Sequence, residues 1–188
     1  MLPREAGSVT QDDRGCEIRR TPVADNTGDA MLRRALRRFV TGVTVVTTLD
    51  ESRRLVGLTA NSFTSVSLDP PLVLVCLDVG SRSYQHCLRR GGYVVNVLAG
   101  DQCEVARRFA VRGGPRGEVC PWHLSERGYP VLTSSLARFE CALVDDILAG
   151  DHVILLGRVE AVSMEEGSSP LVFHGGQLFD LDAGPLSR

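Results

Sequence analysis

The stretch Gly57–Leu77, GLTANSFTSVSLDPPLVLVCL, restricts the fold of this chain more than any other. It opens as a strand, crosses a run containing Thr59, Asn61, Ser62, Thr64, Ser65 and Ser67, turns at Asp69-Pro70-Pro71, and leaves as an apolar strand. The polar positions do not simply alternate, so they are not the wet face of an ordinary strand. Two strands around a bend of small polar residues make a pocket wall. Short hydroxyls and main-chain groups there can hydrogen-bond a flat polar ring while apolar neighbours hold its faces.

The rest of the chain supplies strands and few helices. Residues 1–28 mix Pro, Gly, Asp, Arg and Thr without period and read as a flexible tail. Asp29 is placed to cap a helix whose apolar positions are Met31, Leu32, Ala35, Leu36, Phe39 and Val40, with Gly42 as its end. Arg33, Arg34, Arg37 and Arg38 fall on its other side, as a solvated face or a basic docking patch. Val43–Thr48 is β-branched throughout and predicts a strand. Strands are also predicted at Leu72–Asp78, Tyr93–Leu98, Leu136–Ile147, His152–Val162, Leu171–Phe173 and Gln177–Phe179. A short helix should end at Gly91-Gly92. A second should open on an Asp101/Glu104 capping box and bury Val105, Ala106, Phe109 and Ala110. Six or seven strands without βαβ alternation favour an antiparallel barrel with peripheral helices over a Rossmann sheet.

Composition excludes several chemistries. The 21 basic residues are all arginine, so a Walker-A loop, a pyridoxal Schiff base and a kinase strand lysine have no lysine to use. A net charge of −2 gives no electrostatic reason for nucleic acid or an acidic membrane. With 43% hydrophobic residues and 5% aromatic, one core of Val, Leu and Ala is expected. No run approaches a membrane span and residues 1–26 hold no apolar signal region, so a cytoplasmic protein with reduced thiols is expected. The six cysteines are scattered without a CxxC, and Cys120-Pro121-Trp122-His123 has no second ligand pair, so no metal is expected. Signatures of serine hydrolases, zincins and dinucleotide-binding Rossmann enzymes are missing.

Two further motifs carry alternative readings. Ser81-Arg82-Ser83 opens a helix, and free N–H groups, two hydroxyls and a guanidinium suit a phosphate; Ser81 as a plain N-cap is the other reading. Gly150-Asp151-His152 precedes a strand and reads either as a turn with a satisfied histidine or as a ligand contact.

The segments FVTGVTVVTT, GLTANSFTSVSLDPPLVLVCL, YVVNVL, RRFA, GDHVILLGRVEAV and PLVFHGGQLF, in this order between Leu32 and Phe179, resemble the flavin reductase-like, FMN-binding split-barrel family. Members are the small reductase partners of two-component monooxygenases. The resemblance implies a mainly β, six-stranded FMN-binding split β-barrel over residues 29–182, with a tail at 183–188, working as a homodimer with flavin near the subunit interface. It implies hydride transfer from NADH or NADPH to N5 of FMN or FAD, with reduced flavin passing to a separate monooxygenase. Thr59, Ala60, Asn61, Ser62, Phe63, Ser65 and Ser67 would then run beside the isoalloxazine ring, where aimed donors stabilise the charge arriving on its N1–O2 side. Ser81, Arg82 and Ser83 would hold the flavin phosphate. Asn96 and the helix Gln102–Ala110 also match family wording, which implies Arg107, Arg108 or Phe109 as a lining of the phosphate end. His152 would orient the nicotinamide, since hydride transfer depends chiefly on positioning. A non-catalytic flavin store, or a flavin-bound reductase of another acceptor, would use the same pocket. One departure stands out: where members carry a Lys-Phe or Arg-Phe pair, this chain has Pro115-Arg116-Gly117-Glu118.

Overall fold

A cut between Val40 and Thr41 divides the chain into two units. The computed structural model describes residues 9–11, 17–19, 26–111, 120–166, 168–182 and 184–185. In the first unit β1 (Val9–Gln11) and β2 (Glu17–Arg19) pair antiparallel, and α1 (Asn26–Leu36) follows. The stretch expected as a structureless tail thus contains a ribbon and the start of a helix. Asp29 lies inside α1 rather than at its cap, since the helix already begins at Asn26. The helix also ends earlier than expected. The amides of Arg38 and Phe39 close short turns onto Ala35 O (2.9 Å) and Leu36 O (3.1 Å), a tightened exit.

The second unit is built of β3 (Thr41–Gly42), β4 (Thr44–Leu49), β5 (Leu55–Ala60), β6 (Thr64–Leu68), β7 (Pro71–Asp78), α2 (Arg82–Arg90) and β8 (Gly92–Val97). A 3₁₀ turn at Gly100–Gln102 leads into α3 (Cys103–Ala110). Then come β9 (Trp122–Leu124), β10 (Pro130–Leu132), β11 (Ala137–Ala149), β12 (His152–Met164), β13 (Leu171–His174), β14 (Gln177–Asp180) and β15 (Gly184–Pro185). Seven strands form one antiparallel sheet in the order β5-β4-β8-β11-β12-β7-β6. That is one more than the six expected, because the hydroxyl run Thr64–Leu68 itself pairs with β7. A smaller sheet runs β15-β14-β13-β3, and β9 pairs with β10, which places Trp122 on a strand.

β4 shows why the sheet curls around two cores. All six of its residues are buried. Val46 packs into one cluster with Val75, Leu77, Tyr93, Val95 and Leu155, whereas Val45 packs into another with Leu98, Phe109, Leu132 and Leu171. A strand whose alternate side chains enter two cores must lie between them. Its threonines are tolerated there because each hydroxyl donates to a main-chain carbonyl: Thr44 to Ala60 (2.7 Å), Thr47 to Pro130 (2.6 Å) and Thr48 to Gly92 (3.2 Å). Register shifts in the β11–β12 hairpin at Glu140/Cys141, where Glu160 of β12 is the extra residue, and at Leu143/Asp145, where Val144 of β11 is, bend this long ribbon.

The helices plug this curled sheet. α2 buries Ser83 and Cys87 and ends at Gly91; α3 buries Val105, Ala106 and Phe109. The capping box expected from Asp101 and Glu104 does not form. Gln102 instead reaches back to the Ala99 amide (3.0 Å), and Glu104 pairs with Arg108 (2.9 Å). Cys76, Cys87, Cys103, Cys120 and Cys141 are free thiols.

Candidate functional site

The bend between β5 and β6 is held by its own polar side chains. Ser62 Oγ accepts from the Cys76 amide (3.0 Å) and donates to the Cys76 carbonyl (2.9 Å). Phe63 packs its ring on Phe139, with centroids 5.2 Å apart. Just before the bend, Thr59 Oγ1 donates to Ala106 O (2.6 Å), tying β5 to α3. Gly57 lets those two elements approach: a Cβ there would overlap Val46 O and stand 3.1 Å from Phe109 Cε1. With its neighbours fixed, Asn61 is left exposed at the apex.

Asn61 opens into a cleft of about 480 Å³, within the range of small-molecule sites. One wall is Thr59, Ala60 and Asn61, with Val43 behind them; α3 supplies a second through Ala106, Arg107 and Ala110. The third wall is the β13–β14 hairpin, through Phe173, Gly176, Gln177 and Leu178. The walls are mostly apolar, while the carboxamides of Asn61 and Gln177 make no hydrogen bond among the described residues. Arg107 adds a positive charge. This donor set suits a flat ring with a polar edge and an anionic substituent.

The remaining sequence candidates divide into two groups. Some are structural. Ser62 is engaged with Cys76, and Ser83, buried in α2, donates to Gly57 O (3.0 Å). Asn96 is fully buried: its amide donates to Val45 O and Thr47 Oγ1 (both 2.9 Å), and its oxygen accepts from the Leu132 amide (2.9 Å). Phe109 is a core residue against Gly57. Neither Asn96 nor Phe109 lines the cleft; their place in the cores leaves no face for a ligand. Ser65 and Ser67 lie on β6 opposite Val73 and Leu72, also outside the lining.

The other group gathers at one end of the sheet. His152 opens β12 opposite Asp78, and its Nδ1 lies 2.7 Å from Asp151 Oδ1. The Val79 amide donates to Asp151 O (3.2 Å), and the Ser81 amide to Asp78 O (2.9 Å). This pairing brings the hairpin tip of His152 beside the Ser81-Arg82 turn. Ser81 makes no side-chain cap bond, so its hydroxyl does not serve the plain N-cap role. The Ser83–Gly57 bond then links this turn to β5, two residues before Thr59. His152 itself is half exposed and is not among the cleft-lining residues.

Sequence reasoning had not assigned the hairpin wall to a site. Its legible signal was the Gly175-Gly176 pair; nothing local showed that the strands after it face α3. Pro115–Glu118, which stands where family members carry a Lys-Phe or Arg-Phe pair, lies outside the described residues.

Residues 36–182 match the family described as Flavin reductase like domain. A probable flavin reductase of Rhizobium meliloti is 48% identical over 130 residues; these are 69% of this chain but 42% of that protein, so the chain spans less than half its length. The reductase subunit of a flavin-dependent monooxygenase from Rhodococcus jostii is 41% identical over 145 residues, 77% of this chain and 74% of that protein. A solved structure of the NADH:FAD oxidoreductase of Streptomyces globisporus, in complex with NAD and FAD fragments, aligns with a TM-score of 0.77 at 36% identity, covering 84% of this chain and 95% of that one.

Proposed function

The chain belongs to the flavin reductase like domain family, and from that premise we propose that it is a flavin reductase that oxidises NADH or NADPH and reduces FMN or FAD. Its fold is the family's split β-barrel, mainly β with peripheral helices. The observation that carries the reading is the cleft at the Thr59-Ala60-Asn61 bend, apolar on its faces and polar at its edge.

Flavin held there supplies the ring that accepts a hydride from the reduced nicotinamide. The chain's own residues position both partners. Asn61 offers hydrogen bonds to the ring edge, and a ring seated between the apolar walls would displace water from those bonds, so that they count for more than in solvent. Ser81 and Arg82, at the start of α2, serve a phosphate, supported by the free N–H groups of that helix end. His152 orients the nicotinamide. With Nδ1 facing the Asp151 carboxylate, Nε2 is the nitrogen left for a ligand.

Reduced flavin then passes to a separate oxygenase, a role supported by the relative that is itself the reductase subunit of a monooxygenase. We infer a homodimer, supported by apolar side chains left exposed on strands, among them Val66 and Leu68 on β6 and Ile147 and Leu148 on β11. A cytoplasmic setting is supported by the free thiols; among the described residues no helix is long and apolar enough to cross a membrane. The test is steady-state NADH and NADPH oxidation with and without added FMN or FAD. Oxidation that depends on added flavin is expected. Tight flavin binding without turnover would favour a storage protein instead.

A further inference from the structure

The hairpin wall of the cleft holds a side chain that no motif assigns. Gly175 (φ +61°) and Gly176 (φ +89°) form a two-residue turn with both residues in the left-handed region, the geometry that closes tight hairpins. His174 pairs with Gln177 directly across it, followed by Phe173 with Leu178 and Val172 with Phe179. The rings of His174 and Phe179 lie 6.4 Å apart on this hairpin. Gln177 is therefore the first residue after a stiff turn, and its Cα is fixed by the ladder. Gln177 lines the cleft, and its carboxamide is unpaired among the described residues.

We propose that Gln177 is a positioning residue that pairs with the imide edge of the flavin ring, accepting from N3–H and donating to an adjacent ring carbonyl. This rests on the flavin reading above. The imide edge presents acceptor, donor, acceptor in a row. To meet it a side chain needs an acceptor and a donor side by side, which a carboxamide has. Arg107 has donors only, and the Thr59 hydroxyl proton is engaged with Ala106 O. Asn61 is the other carboxamide in the cleft, and it sits on a separate wall, at the apex of the β5–β6 bend. Gln177 is exposed in the free protein, and Phe173 and Leu178 line the same cleft, so a flavin seated there would itself cover the hydrogen-bonding pair, and loss of the pair would be felt in affinity.

The test is a fluorescence-quenching titration of FMN and N3-methyl FMN against the full chain, Gln177→Ala and Asn61→Ala. Wild type should bind FMN about tenfold more tightly than the N3-methyl derivative, the scale of one shielded hydrogen bond. Gln177→Ala should bind FMN more weakly and treat the two flavins alike, while Asn61→Ala keeps the discrimination. If Gln177→Ala still discriminates as wild type does, or if Asn61→Ala is the variant that loses discrimination, the proposal is overturned. Gln177→Met, of similar length but without hydrogen-bonding groups, repeats the test should the alanine variant misfold. Wild type that quenches neither flavin would overturn the flavin reading itself, a result distinct from binding without discrimination.

Discussion

Ser62 Oγ bridges both main-chain groups of Cys76, accepting from its amide at 3.0 Å and donating to its carbonyl at 2.9 Å. Ladder pairing of β6 with β7 begins only at Thr64 opposite Leu74, two residues before Cys76. Cys76 is paired with Ile154 of β12 on one side, and on the other the serine hydroxyl stands in for the β6 partner it lacks, fixing the bend on which Asn61 sits. Ser62→Ala should lower stability by about 1–2 kcal/mol, the scale of losing a partly shielded bond and leaving its partners unpaired. FMN affinity should fall with it, because Asn61 is no longer held. Urea unfolding and flavin titration check both; unchanged values in each would remove this role.

Gly57 is where β5 meets both Val46 O and the Phe109 ring, so any side chain there must push main chain or core apart. Gly57→Ala should destabilise by about 1–3 kcal/mol, as overpacking does. Thermal or chemical unfolding measures it, and a wild-type midpoint would contradict the packing described here.

Asn96 makes three hydrogen bonds in a fully buried position. Asn96→Ala would strand the Leu132 amide and the Val45 carbonyl, so a loss of about 3 kcal/mol is expected. Whatever fraction stays folded should bind flavin with near wild-type affinity. Selective loss of flavin binding at undiminished stability would return Asn96 to the ligand site.

His152 stands outside the cleft at the β5–β6 bend, beside the turn that opens α2. His152→Ala should therefore raise KM for the reduced nicotinamide and leave the Kd for flavin nearly intact. Steady-state kinetics and flavin titration separate these effects; the opposite pattern would move His152 to the flavin.

Burial pushes the thiols of both Cys87 and Cys141 up to about 12. In the unfolded chain they ionise near 9, so between these values the unfolded state binds fewer protons and is favoured as pH rises. Their contribution is whole below about pH 9 and declines above it. The decline of the urea midpoint between about pH 9 and 11 should be shallower in Cys87→Ala/Cys141→Ala than in wild type. Parallel curves would count against buried, protonated thiols.

Much of this molecule was legible in one dimension. The β-branched run of β4, the long β11–β12 hairpin at Gly150-Asp151 and the helix ending at Gly91 follow from local propensity and periodicity. The Thr59-Ala60-Asn61 bend could be recognised as a pocket wall because small polar residues and a Pro-Pro turn are local features. The ends of α1 and the capping of α3 were misplaced for the opposite reason. Asp101 and Glu104 satisfy the local rule, yet Gln102 takes the role because it also reaches Thr133 O (3.0 Å), a partner distant in sequence.

The roles of the polar side chains were decided only by the tertiary structure. Ser62, Ser83 and Asn96 look alike in sequence to residues that face a ligand, but their partners lie 14, 26 and 51 residues away. A hydroxyl or amide turns inward or outward according to which carbonyl the folded sheet brings within reach, and no local pattern encodes that distance. The same holds for Gln177, which the sequence placed after a glycine turn and the fold placed at the cleft that α3 also lines. Residue chemistry along the chain determined what kind of site this protein could build; long-range pairing of strands chose which side chains build it.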